Sequence, residues 1–206
     1  NMANLEQNSV VIVSGARTPM GGFQGDLAAV TSPELGAAVI KAAIERAGIS
    51  ADQVDEVIMG SILTAGVGQS PARQAMRLAG VPDSTGAINL NKLCGSGLRA
   101  IMDATNAIKA GEFDIIVAGG MESMTNAPYV LPKARGGMRM GHGEIKDTMF
   151  LDGLKDADTG KLMGAFAQEM ADKRGITREA MDAFAIESLK RANTAINEGH
   201  FKNEIV

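Results

Sequence analysis

Residues 86–111 read GAINLNKLCGSGLRAIMDATNAIKAG. A short apolar run at 87–90 gives way to Cys94 and the glycines Gly95 and Gly97, after which Leu98, Ile101, Met102, Thr105 and Ile108 fall on one face at helical spacing as far as Gly111. This is the pattern of a strand that turns sharply into a helix. Glycine has no Cβ, so the turn can be tight and a ligand can approach its backbone closely.

The same alternation extends in both directions. SVVIVSGA at 9–16 reads as a buried strand, a β-branched run bounded by Ser and Gly. TSPELGAAVIKAAIERAG follows with helix-start chemistry: Thr31 or Ser32 as N-cap, Pro33 and Glu34 in the first turn, and Gly48 as the stop. VDEVIMGSIL is then a strand, SPARQAMRLAG a helix opened by Pro71 and closed by Gly80, GAINLN a strand, and FDIIVAGG after the Cys94 helix a further strand. Strands separated by helices predict βαβ units, hence an α/β fold with a mainly parallel sheet covered by helices.

From residue 121 to 163 that rhythm stops. Pro128, Pro132, Gly136, Gly137, Gly141 and Gly143 break up a long stretch of the kind that serves as a lid or an interaction loop. Within it Lys133, Arg135, Arg139 and Lys146 form a basic cluster, to be read either as solvated loop charge or as a contact for an anion or a partner subunit. Two helices follow, MGAFAQEMADKRG and TREAMDAFAIESLKRANTAINEG, the second with Thr177 as N-cap and Gly199 at its end. HFKNEIV reads as a turn and the start of another strand, so the chain is expected to stop in mid-element. The organisation is therefore a core over 1–120, a loop region over 121–163, and closing helices over 164–206.

Composition narrows the function classes. The 206 residues are 45% hydrophobic and 21% charged, enough for a substantial core. A formal charge of −4 and 3% aromatic content argue against a nucleic-acid surface or a base-stacking platform. No apolar run approaches the roughly 20 residues of a membrane helix. A single cysteine forms no internal disulfide, and no basic segment leads into an apolar one at the start, so a cytoplasmic location is expected.

Cys94 is the chemical focus, with two readings from position alone. A lone cysteine is commonly a small buried apolar residue. Against that, the unpaired N–H groups at a helix start carry partial positive charge, favour an anionic sulfur, and could hold an oxyanion, the requirements of covalent acyl transfer.

NKLCGSGLRAI resembles the nucleophile segment of the thiolases. The resemblance continues in order through SGARTPMGGFQG, VGQSPARQAMRLAGVP, IIVAGGMESMTNAP, RGGMRMG and EAMDAFAIESLKRANTAINEGHFKNEIV. It implies the N-terminal half of a thiolase fold with an inserted loop domain. It also implies ping-pong chemistry, in which Cys94 takes an acyl group from acyl-CoA and a second acetyl-CoA carbanion attacks the thioester. RGGMRMG is similar to the biosynthetic acetyl-CoA acetyltransferases, which implies acetoacetyl-CoA as product; degradative cleavage of longer 3-ketoacyl-CoA is the alternative. A β-ketoacyl synthase is disfavoured by GGMESMTNAP and the long loop.

By the same resemblance Cys94 is the acyl-carrying nucleophile, its N–H part of an oxyanion hole. Leu154 and Met163 match positions lining the coenzyme A channel, and Leu162 stands where many biosynthetic members carry His. The basic loop corresponds to a region used in assembling a homotetramer from homodimers. The coenzyme A thioester is substrate, with no further cofactor or metal. The motifs GHP, CxGGG and NEAF, which carry the family's base and second cysteine, do not occur in these residues. His142 and His200 lack the sequence context of that base. The expectation is a truncated chain that does not turn over by itself, with a non-catalytic thiolase-like module as the other reading. It is also expected to expose an apolar face where a second half would pack.

Overall fold

The computed structural model describes residues 9–206. Its centre is a three-stranded parallel sheet, β1 (Glu56–Gly60), β2 (Gly86–Leu90) and β3 (Ile116–Gly120), in the order β2-β1-β3. The helices between and before them are α1 (Ser32–Ala47), α2 (Pro71–Leu78) and α3 (Ser96–Lys109). The chain steps from β1 to β2 in one direction and from β2 past β1 to β3 in the other. Crossovers of one hand taken in opposite directions put α2 and α3 on opposite faces.

The central strand β1 is buried along its whole length, as a strand covered on both faces must be. Its alternate side chains divide between two cores. Val57 and Met59 pack with Ile40 and Ile44 of α1, Ala72, Ala75 and Met76 of α2, and Met121. Ile58 packs on the other face with Ala100 and Ala104 of α3. α1 starts where the sequence places it: Thr31 Oγ1 accepts from the Glu34 N–H at 3.4 Å, and the Glu34 carboxylate accepts from the Thr31 N–H at 2.7 Å. Those bonds from Thr31 hold the Glu34 carboxyl below its ordinary value.

α3 turns its small residues to the sheet. Ala100 and Ala104 are buried, while Leu98, Ile101 and Met102 are exposed. Small side chains bring the helix close to the strands, and the closest approach lies at its first turn. A Cβ built on Gly60, the last residue of β1, would stand 2.6 Å from Ser96 Cβ and 2.7 Å from the Ser96 carbonyl carbon. On Gly120 of β3 it would meet Gly60 O at 3.4 Å and Gly97 Cα at 3.5 Å.

The predicted strand at 9–16 is not a strand. The segment carries no regular secondary structure and joins no ladder; its end is tied by one parallel bridge, Arg17 to Ile205. Val11, Ile12 and Val13 are exposed. An apolar trough of about 510 Å³ is lined by this segment, α1, α3 and β3, and the segment is held to α1 by the Ser14 hydroxyl, which donates to Ala43 O at 2.6 Å. β-branched residues favour the extended conformation, but a strand also needs a neighbour within hydrogen-bonding distance. The core sheet thus has three strands where the sequence predicts four.

Residues 121–163 do contain short regular pieces. β4 (Tyr129–Val130) and β5 (Lys146–Asp147) pair antiparallel, and a π-helical turn spans Met149–Leu154. Buried Thr148 closes this region by donating its hydroxyl to Pro128 O at 2.6 Å. α4 (Met163–Lys173) and α5 (Arg178–Asn197) follow, the latter capped by Thr177 as expected. α5 buries no residue, and Phe184, Ile186, Leu189 and Ile196 are exposed along it. With Leu98 and Met102 of α3, these side chains leave exposed apolar surface on the described residues. Arg46 of α1 pins the last residues, donating to Glu204 O and Ile205 O as well as to Gly15 O. Among the described residues no helix is long and apolar enough to cross a membrane.

Two outcomes follow from this packing. Gly60→Ala drives a methyl group into the Ser96 backbone, and overpacking of this kind costs about 1–3 kcal/mol, to be read as a lowered urea midpoint. Glu56 on β1 lies against Gly86, its partner across the ladder. Burial, and secondly the negative charge of Glu112, push its carboxyl above the ordinary value. The stability this group contributes is therefore fully present below its unfolded-state value and is lost as pH rises through the folded one. Glu56→Gln is expected to be more stable than the native protein at neutral pH, the gap closing toward about pH 4 in a series of urea midpoints.

Candidate active site

Cys94 lies in the turn between β2 and α3, and it is exposed. α3 begins at Ser96, two residues later than Cys94, because Gly95 holds the N-cap position. The turn is fixed by hydrogen bonds around Leu93, whose φ of 49° is unusual for a residue other than glycine. The Asn91 side-chain oxygen accepts from the Leu93 N–H at 2.9 Å. Ser96 Oγ accepts from the Lys92 N–H at 2.9 Å and donates to the Leu93 carbonyl at 2.6 Å. The Ser96 and Gly95 N–H groups bond back to Leu93 O and Lys92 O. The N–H groups of Gly97 and Leu98, at the positive end of α3, have no acceptor among the described residues.

This arrangement offers an accessible sulfur in a hydrogen-bonded turn, two residues before a helix whose second and third N–H groups are unpaired among the described residues. Such a site is suited to attack on an electrophilic carbonyl. Asn91 and Ser96 do not stand out in the sequence as functional. The cue is their spacing about the cysteine, a polar residue two before Leu93 and a hydroxyl three after it, which matches side-chain capture of a turn backbone.

The other predicted site residues are grouped among themselves. Leu154 ends the π-helical turn, a bridge joins its neighbour Lys155 to Leu162, and Met163 opens α4. The loop between them is stapled by Asp156, which accepts from the Thr159 hydroxyl at 2.6 Å and N–H at 2.8 Å and is thereby held below the usual carboxylate range. Leu162 and Met163 are both exposed. The π-helical turn abuts the segment after β1, where a Cβ on Gly153 would meet Leu63 Cδ2 at 3.5 Å. That segment is held to the end of β3 by Glu122, whose carboxylate accepts from the Ile62 N–H at 2.7 Å and the Leu63 N–H at 3.1 Å. Glu122 is a further residue that sequence reasoning passes over.

Neither histidine is hydrogen-bonded to Cys94 among the described residues. His142 is exposed in the basic loop, and His200 Nε2 lies 3.0 Å from Glu198. Lys133, Arg135 and Arg139 are exposed, and Lys146 pairs with Glu144. No cluster of three or more His, Cys, Asp or Glu side chains with metal-binding geometry occurs among the described residues. The 510 Å³ trough is not lined by Cys94.

Comparison with known proteins gives this geometry its context. The model of the thiolase N-terminal domain matches residues 10–206. The chain is 55% identical over 197 residues to an acetyl-CoA acetyltransferase of Cupriavidus necator, covering 96% of the chain and 50% of the relative. Similar proteins of the same name occur in Pseudomonas aeruginosa, 53% identical with 95% and 50% coverage, and in Escherichia coli, 50% identical with 95% and 50% coverage. The chain spans about half the length of the curated relatives it matches. With its helix-sheet core and the cysteine turn at the mouth of α3, the chain belongs to the thiolase family and carries that family's N-terminal domain.

Proposed function

We propose that this chain is the nucleophile-bearing half of an acetyl-CoA C-acetyltransferase. The observation that carries the reading is the exposed Cys94 on a hydrogen-bonded turn just before the unpaired N–H groups of α3, within a chain 55% identical to an acetyl-CoA acetyltransferase over 96% of its length. The Cys94 thiolate attacks the thioester carbonyl of acetyl-CoA, forming a new S–C bond. The oxyanion is met by backbone N–H groups, and coenzyme A leaves as a thiolate that takes up a proton. In the second half-reaction the C2 carbanion of another acetyl-CoA attacks acetyl-Cys94, giving acetoacetyl-CoA and returning the thiolate.

Removal of the C2 proton requires a base at the reacting carbon. His142 and His200 are not assigned that role, since neither is hydrogen-bonded to Cys94 among the described residues and His200 Nε2 instead lies 3.0 Å from the Glu198 carboxylate. Leu154, Leu162 and Met163 are assigned to the pantetheine arm of coenzyme A, which leaves the coenzyme as substrate and calls for no other cofactor. A cytoplasmic, homo-oligomeric protein suits the single cysteine and the exposed apolar sides of α3 and α5.

Incubation with acetyl-CoA, followed by intact and peptide mass measurement, tests the assignment. One acetyl group on the peptide containing Cys94, released coenzyme A in equal amount, and no adduct in Cys94→Ala are expected; acetoacetyl-CoA should not accumulate with these 206 residues alone. An unmodified Cys94 at every pH tried overturns the acyl-transfer reading.

A further inference from the structure

We infer that Asn91 and Ser96 are positioning residues for Cys94, acting through the backbone of Leu93. The inference rests on the assignment of Cys94 as the acyl acceptor. Its starting observation is the left-handed conformation of Leu93, at φ 49°. A branched side chain is disfavoured there and remains only where its surroundings hold it. Among the described residues the positive-φ residues other than glycine are Gln24, Ser70, Leu93 and Met138, and of these Leu93 alone adjoins the nucleophile.

Both polar backbone groups of Leu93 are held by side chains. Asn91 takes the N–H, and the Ser96 hydroxyl donates to the carbonyl while accepting from the preceding Lys92 N–H. Ser96 is 5% exposed and lies against the Gly60 backbone, so its position is set by the meeting of α3 with β1. Asn91, by contrast, is exposed and held by no other hydrogen bond among the described residues. One anchor therefore belongs to the core and the other to the turn. Together they fix the peptide that enters Cys94, and so the direction from which the sulfur meets a carbonyl. Misplacement of a reacting group by about 1 Å can lower a rate a hundred-fold.

Four variants separate this role from simple stabilisation: Asn91→Leu, Asn91→Ser, Leu93→Gly and Ser96→Ala. Each is followed by the rate of Cys94 acetylation at saturating acetyl-CoA, the rate of alkylation by iodoacetamide, and the melting temperature. Asn91→Leu and Ser96→Ala are expected to acetylate about ten- to a hundred-fold more slowly. Asn91→Ser, whose hydroxyl can accept the same N–H, should recover much of the rate. Leu93→Gly is the sharpest case: glycine adopts positive φ freely, so the fold is kept, yet the turn becomes free to leave its conformation and acetylation slows. A merely structural role would leave the Leu93→Gly rate at the native value.

Native acetylation rates in both Leu93→Gly and Asn91→Leu overturn the inference. If Ser96→Ala fails to fold, the two exposed positions Asn91 and Leu93 decide alone. If the native chain is alkylated but never acetylated, the acyl-transfer reading fails. The positioning role is then decided by alkylation, where the same ranking of variants supports it and equal rates overturn it.

Discussion

The contact between the first turn of α3 and the ends of β1 and β3 is the constraint on which the rest depends. Gly60, Gly97 and Gly120 meet there with no room for a Cβ on Gly60. Because these backbones touch, α3 starts directly above the carboxyl ends of two parallel strands, the place where open α/β sheets commonly present ligands. The β2-to-α3 turn must then climb over that contact within a few residues. Its left-handed Leu93 is the geometric result, and an exposed Cys94 follows one residue later.

The same closeness explains which side of α3 enters the core. Ala100 and Ala104 are buried against Ile58, whereas the bulkier Leu98 and Met102 face outward and Ile101 lines the trough. A helix packed on the sheet by its large residues would stand farther off and lift the cysteine turn from its support. The outward apolar side of α3 and the exposed apolar side chains of α5 are not covered by any other described part of the chain.

Much of the fold is legible in local sequence. Thr31 with Glu34, Pro71, Thr177, and the glycines Gly48 and Gly199 mark helix boundaries through chemistry that acts over three or four residues, and the structure places helices at those marks. The chain from 9 to 16 is where this stops working. Its Val10, Val11, Ile12 and Val13 specify an extended backbone, but pairing is a relation between distant segments, and the trough beside β3 leaves them without a ladder partner. In the 121–163 region, β4, β5 and the π-helical turn are short and held by Thr148 and Pro128, contacts that no periodicity announces.

The candidate site divides along the same line. Sequence alone determines a single cysteine in a strand-turn-helix passage, the turn glycines, and the family those residues belong to, because each is a property of neighbours along the chain or of a matching string. Tertiary structure decides the rest: that Leu93 is left-handed, that Asn91 and Ser96 hold it, that Glu122 fastens the segment beside the π-helical turn, and that α3 uses its alanines inward. Those facts depend on how closely two backbones approach in space, and closeness between a strand end and a helix start is set by the packing of the whole sheet.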